Sequence, residues 1–260
     1  MLNHGYLFFN LKIKTMKKLL YLFTAILLVF TSCSKDDNDS SDSTLSILPK
    51  KIITINSNGD SSTENIIYNG NKIVSITGEN YIIKYSYIGD FITKIEKFDK
   101  NGALDFTTQY SYTNGKLTGS TAKETGAASY SKVKFVHNED GTVSYEDFRI
   151  NSTTNAEDDG GYIGKFTFKD GNLIKNDYSY YGAEKLITYE YDTKNNPLKN
   201  IKGFNLLLNI ESPKSYVNNM IGILDLSGSV TAAYTYKYDA NNYPTETNST
   251  NSTRTTQFSY

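Results

Sequence analysis

Few residues of this chain have the type and spacing that chemistry requires. His137 sits in Phe135-Val136-His137-Asn138-Glu139-Asp140-Gly141. A general base there would need a serine and a carboxylate brought to it by the fold, and no Gly-x-Ser-x-Gly elbow is present. The histidine therefore reads as a polar residue beside a turn, not as a base. The run Glu157-Asp158-Asp159-Gly160-Gly161 offers oxygen ligands of the kind calcium takes, but lacks the Asp-x-Asn-x-Asp-Gly spacing of a calcium loop. It reads as a solvated acidic turn. Paired carboxylates for glycoside hydrolysis would have to come from separate strands, and nothing in the sequence singles out a pair. The expectation is a protein without a catalytic site, metal or cofactor.

The remaining chemistry belongs to Cys33, the only cysteine of the 260 residues. One cysteine forms neither an internal disulfide nor a thiolate metal site. What precedes it is informative. Lys17 and Lys18 are followed by the almost wholly apolar stretch from Leu19 to Phe30, then by Thr31 and Ser32. A bilayer core of ~30 Å needs ~20 residues, so this stretch is too short to span but suits a signal peptide. The cysteine stands at the cleavage position. The arrangement resembles a bacterial lipoprotein lipobox, with Phe30 in place of the more usual leucine. The resemblance implies that Cys33 takes a diacylglycerol and becomes the first mature residue. Each buried methylene then contributes about 0.8 kcal/mol to anchoring.

Met16 opens a clean signal peptide and Met1 does not, so residues 1–15 read as a mis-assigned extension, and 16–33 as the lipoprotein signal. Residues 34–47 begin Ser34-Lys35-Asp36-Asp37-Asn38-Asp39, which is polar and acidic and reads as a disordered tether. This opening also resembles the export signal of surface lipoproteins in Bacteroidota, and Asp42-Ser43-Thr44 resembles the short O-glycosylation sequence of that phylum. Surface display and a periplasmic position both stay open. The formal net charge is -1, and the four lysines within residues 1–33 leave 23 basic against 28 acidic residues beyond them. Such a chain does not suit nucleic acid.

From about Leu48 the texture becomes alternating: Lys84-Tyr85-Ser86-Tyr87, Gln109-Tyr110-Ser111-Tyr112, Lys165-Phe166-Thr167-Phe168, Tyr234-Thr235-Tyr236-Lys237-Tyr238. Period two places the rings on one face of a strand. Turn signals separate the runs: Asn69-Gly70, Gly89-Asp90, Asn101-Gly102, Asn114-Gly115, Asp140-Gly141, Asp170-Gly171, Asn195-Asn196 and Asn241-Asn242. An apolar residue follows soon after most of them: Ile73, Ile92, Leu104, Leu117, Val143, Leu173, Leu198. This is an internal repeat of hairpins. It predicts one all-β domain over 48–260, an antiparallel meander of about a dozen strands forming a strongly curved sheet or barrel. Residues 203–230 break the pattern, with apolar clusters Phe204–Leu208 and Met220–Leu224 either side of Pro213. They read as an irregular connection with a helical turn, folding over one end as a core plug.

The Tyr-x-Tyr, Asp or Asn, Gly, Leu/Ile pattern resembles the YD repeats of Rhs-type proteins in degenerate form. Tyr189-Glu190-Tyr191-Asp192-Thr193-Lys194-Asn195-Asn196-Pro197-Leu198, taken with the lipobox and Asn218-Asn219, is similar to a Bacteroidota lipoprotein family of unknown function with a porin-like β fold. The resemblance covers roughly 33–260 and carries over no catalytic residue.

Aromatic ladders of this kind serve as core, as sugar-stacking platforms, or as the lipid-facing girdle of a transmembrane barrel. Gln257-Phe258-Ser259-Tyr260 faintly resembles the aromatic end of an outer-membrane barrel. The signal peptide, charges on both faces and strands often of five to seven residues favour a soluble, lipid-tethered β-structure with its rings inside. The expected role is binding of a glycan, peptide or partner protein at the outer membrane, on the cell surface or the periplasmic face. The alternative is a structural or accessory component of that membrane, with a transmembrane barrel or an enzyme of unrecognised type as lesser readings.

Overall fold

A computed structural model describes residues 46–211, 216–250 and 254–260. Cys33, the signal and most of the tether lie outside them. The described chain is a closed antiparallel barrel of sixteen strands, each paired with its neighbours in sequence and β1 paired with β16. The strands are β1 Lys51–Ile55, β2 Ser61–Asn69, β3 Lys72–Thr77, β4 Tyr81–Ile88, β5 Phe91–Asp99, β6 Leu104–Thr113, β7 Lys116–Glu124 and β8 Ser129–His137. They continue as β9 Val143–Asn151, β10 Glu157–Lys169, β11 Asn172–Tyr180, β12 Ala183–Asn195, β13 Asn218–Leu224, β14 Val230–Tyr238, β15 Pro244–Ser249 and β16 Thr255–Ser259.

The meander closes, then, and has more strands than the turn signals suggest. Most strands are also longer than five to seven residues, up to 13. Seven of the eight turn dipeptides do lie between paired strands. At Asn114-Gly115 and Asp170-Gly171 both residues have positive φ, the backbone that a two-residue hairpin turn demands. Asn195-Asn196 instead opens the long β12–β13 connection. The extra strands come from the other rim, where turns such as Tyr181-Gly182 carry no Asn-Gly signature.

Six of those turns, with the β12–β13 connection, lie at one rim, and the residue that follows each turn builds that end. Ile73, Ile92, Leu117, Val143 and Leu173 stand at or next to the first position of β3, β5, β7, β9 and β11, and none is more than 4 % exposed. Opposite most of them lies an aromatic residue: Tyr68 faces Ile73, Tyr87 faces Ile92, Tyr112 faces Leu117, and Phe168 faces Leu173. One extra residue follows the apolar one in each case, a β-bulge that tightens the local twist. Where that residue is threonine, its hydroxyl donates to the carbonyl left unpaired: Thr93 to Ser86 at 3.3 Å, Thr118 to Ser111 at 3.2 Å, and Thr245 to Lys237 at 3.3 Å.

A buried tyrosine must also satisfy its hydroxyl. Here it reaches the tip of the preceding hairpin or, for Tyr68, the chain just ahead of β1. Tyr112 donates to the Ile92 carbonyl at 2.9 Å, Tyr191 to Leu173 at 2.8 Å, Tyr260 to Pro244 at 2.8 Å, and Tyr68 to Pro49 at 2.8 Å. His137 stands in for tyrosine on β8, with Nε2 2.8 Å from the Leu117 carbonyl. These bonds stitch neighbouring tips together around the closed end.

A sixteen-stranded barrel is wider than its wall side chains can fill. The β12–β13 connection fills the remainder. Leu198, Ile201, Phe204 and Leu207 pack against Ile66, Ile73 and Ile92, whereas Leu208 and Ile210 join Phe135, Tyr145, Phe166 and Tyr189. A 3₁₀ turn, Phe204–Leu206, shapes the inserted segment. Lys202 pins it to the rim through its amide on Asn71 at 2.9 Å and its ammonium 3.3 Å from Asp90. The connection lies between Asn195 and Asn218, so it starts before 203 and ends well before 230. Met220–Leu224 belongs to β13, where Met220 pairs with Tyr191 and Ile223 with Tyr189.

Removing one Tyr clasp leaves a carbonyl unpaired inside the rim. Tyr112→Phe is expected to lower the unfolding free energy by about 1 kcal/mol, and Ile92→Ala by about 3 kcal/mol, in urea titrations. The outward Gln109→Ala should change it by less than about 0.5 kcal/mol. Burial also pushes the hydroxyls of Tyr87, Tyr112 and Tyr236 up to about 12 from an ordinary value of 10.0. Between those values the unfolded chain loses protons that the folded chain keeps, so stability should fall as pH rises through that window. Urea midpoints at steps across it, read beside tyrosinate absorbance, check this; a flat profile contradicts it.

Candidate functional site

Inward-facing rows need not be dry. Toward the rim opposite the plugged end, side chains on the inner face become polar and water-accessible. Phe106, Thr108 and Tyr110 on β6, Ala122 on β7 and Ser131 on β8 line a space of about 300 Å³ whose floor is the tip of the plug, Leu208 to Glu211. A second space of about 380 Å³ shares Phe106, Ala122, Ser131 and Glu211 with it and runs out to the rim past Glu124, Asp147, Arg149, Tyr162 and Tyr180. Phe106 is 36 % exposed and Tyr180 42 %, although both belong to the inner face. Glu124, Arg149 and Glu211 are exposed as well.

The centre of this mouth is Asp147. Ser131 Oγ donates to its Oδ1 at 2.7 Å. Burial raises its pKa above the ordinary carboxylate value, and the nearby Glu211 raises it further. The hydrogen bonds from Ser131 and the Phe148 amide, and the charge of Arg149, oppose this. The same two carboxylates and the Tyr180 ring, after burial, push the Tyr162 hydroxyl up. Tyr162 and Tyr180 lie ring against ring with centroids 4.4 Å apart. The site thus combines aromatic faces with carboxylates and one guanidinium.

The residues singled out by sequence lie elsewhere or take other parts. His137 is a rim clasp. Glu157 to Gly161 is no turn: it is the start of β10, where Glu157 accepts from Lys132 at 2.6 Å and Lys134 at 2.9 Å on the outer wall. Those two lysines hold its carboxyl below the ordinary range. Its glycines matter more than its acids, because at Gly160 a side chain would run into Asp147. Among the described residues no group of three His, Cys, Asp or Glu is placed to hold a metal ion. Asp147, Arg149 and Glu211 were not legible as a site. Asp147 shares its alternating strand with Glu146, and only the pairing register tells which of them faces inward.

The barrel has a solved counterpart. A crystal structure of a porin-like protein from Bacteroides uniformis superposes with a TM-score of 0.51 and 13% sequence identity, covering 81% of this chain and 97% of that one. The likeness extends to the porin-like β fold. No protein-family model and no curated protein sequence matches the chain.

The raised pKa of Asp147 has a measurable sign. As pH rises from the ordinary value of 3.8, the unfolded chain ionises Asp147 before the folded chain does, so this group withdraws stability through that window. Asp147→Asn should remove that decline, leaving the variant at least as stable as the parent near neutral pH. Paired denaturation curves across acid pH decide it; a variant that is less stable near neutral pH contradicts it.

Proposed function

We propose that this chain is a lipid-anchored cell-envelope protein of the Bacteroidota lipoprotein kind, whose water-facing barrel binds a glycan or peptide at its open end without turning it over. The observation that carries the reading is the distribution of charge on the wall. A transmembrane barrel turns an uncharged band about 25 Å tall toward lipid. On this wall Lys94 and Glu96, Lys132 and Lys134 with Glu157, Lys175 and Asp177, and Lys237 with Glu246 lie on the outer face and pair with one another. The rings that would face lipid form the core instead. Such a barrel suits water and needs another device to stay at a membrane, which the Cys33 lipobox supplies. The mixed aromatic and polar mouth has the size and lining of a ligand pocket. The filled half of the lumen favours a second reading, a structural or accessory part of the outer membrane.

Three measurements test this. Residues 46–260 should remain monodisperse without detergent. Cys33→Ala should lose lipid labelling and move to the soluble fraction. Glycan arrays and peptide libraries should give ligands whose binding perturbs Phe106 or Tyr162. A barrel that stays in solution only in micelles defeats the reading, and blank arrays leave the structural role.

A further inference from the structure

The mouth of the barrel contains one place where the wall itself is interrupted. Pairing of β9 with β10 runs as far as Phe148 with Asp159 and resumes at Glu146 with Ile163. Residues 160–162 therefore face Asp147 alone. A Cβ at Gly160 would lie 2.2 Å from Asp147 Oδ2 and 2.8 Å from its backbone carbonyl carbon, so only glycine leaves room for the carboxylate in this position. The bulge is held open by its own bonds: the Gly161 amide donates to Asp159 Oδ1 at 2.7 Å, and the Tyr181 amide to the Gly161 carbonyl at 2.9 Å. Bulges of this kind re-aim a side chain and gather beside functional sites.

The carboxylate for which the bulge makes room has no cationic partner in contact. Among the described residues Asp147, Glu124, Glu211 and Arg149 form no salt bridge, whereas charges of the outer wall pair in several places. Across the mouth three carboxylates without an ion-pair partner face one guanidinium, while Lys97, across from Phe106, is neutralised by Asp105 at 2.9 Å. That balance repels phosphate and carboxylate ligands. A half-buried carboxylate gains most from a ligand that brings a positive charge. The rings of Phe106, Tyr162 and Tyr180 add apolar faces, which attract an ammonium group and cover the stem that carries it.

We propose that Asp147 is the counter-ion for an organic ammonium group, so that the open end takes a ligand bearing a primary amine on an apolar stem. The inference rests on the reading of the open end as a ligand site and names the chemistry of its ligand. Amino sugars and lysine side chains share that chemistry.

The test uses two matched pairs in which acetylation removes the charge and keeps the stem: glucosamine with N-acetylglucosamine, and Nα-acetyl-lysine methylamide with its ε-acetylated form. Binding to the full chain in mild detergent is followed by ligand-observed NMR. The free amine of at least one pair should bind about tenfold or more tightly than its acetylated partner. The preference should shrink with added salt and vanish in Asp147→Asn. Ser131→Ala, which frees the carboxylate without removing it, should reduce the preference less. Near-ultraviolet circular dichroism confirms that both variants fold. A preference for the acetylated form, equal binding within both pairs, or a preference that survives in Asp147→Asn overturns the inference while leaving the open end a binding site. No binding of any member, together with blank arrays, removes the ligand site and this inference with it.

Discussion

The constraint on which the rest of the barrel depends is the hydroxyl of a buried tyrosine. An aromatic ring at the end of an even-numbered strand fills the rim, but its oxygen cannot be left dry. In Tyr112, Tyr191 and Tyr260 the oxygen finds the backbone carbonyl of the neighbouring hairpin tip, and in Tyr68 that of Pro49 ahead of β1. That partner must be held at the right height, which the fully buried residue after the turn and the bulge beside it accomplish. One requirement therefore explains three positions of the repeat: the tyrosine, the Leu or Ile beyond the turn, and the bulge residue. Where the partner changes, so does the chemistry. On β13 the apolar residue is replaced by Asn219, which bonds Asp192 through its backbone and side-chain N–H at 3.1 and 3.2 Å and the Asn195 carbonyl at 3.1 Å.

The division of labour between the two ends follows. The closed end is stitched, plugged and apolar. The opposite end is thereby released from building the core and can carry Asp147, Glu124 and Glu211 on the inner face. Proteins tend to place unfavourable groups where function needs them and to recover the stability elsewhere. The plug belongs to both ends, since its base is fastened to Asn71 and Asp90 and its tip forms the floor of the mouth.

Much of the fold was legible because alternation and turn chemistry are local. The rows at Tyr110-Ser111-Tyr112 and Phe166-Thr167-Phe168 share one face by period alone, and most of the Asn-Gly and Asp-Gly signals fall at the closed rim, with Asn101-Gly102 at the other. The opposite rim was harder to read, because turns such as Tyr181-Gly182 lack that signature. The plug was legible as an interruption of the pattern, yet both its bounds were misjudged: it begins after Asn195, and Met220-Ile221-Gly222-Ile223 is already paired in β13 although it does not alternate. The mouth was not legible at all. Asp147 stands in Tyr145-Glu146-Asp147-Phe148, where two adjacent carboxylates point to opposite faces, and the glycines that make room for it are on another strand.

Every strand but one pair meets its chain neighbours, so nearly all of the wall can assemble by short-range zipping. The exception is the seam between β1 and β16, only five residues long on each side. Until those last residues arrive, fifteen strands form an open sheet with two bare edges, the arrangement most prone to pairing with other chains. The plug precedes the last four strands in the chain, so the wall is completed around cargo already in place. Topology thus makes the final closure the vulnerable moment in the life of this molecule, and the backbone pairing of β1 with β16, extended by the Lys50 amide on the Ser259 carbonyl at 2.7 Å, ends it.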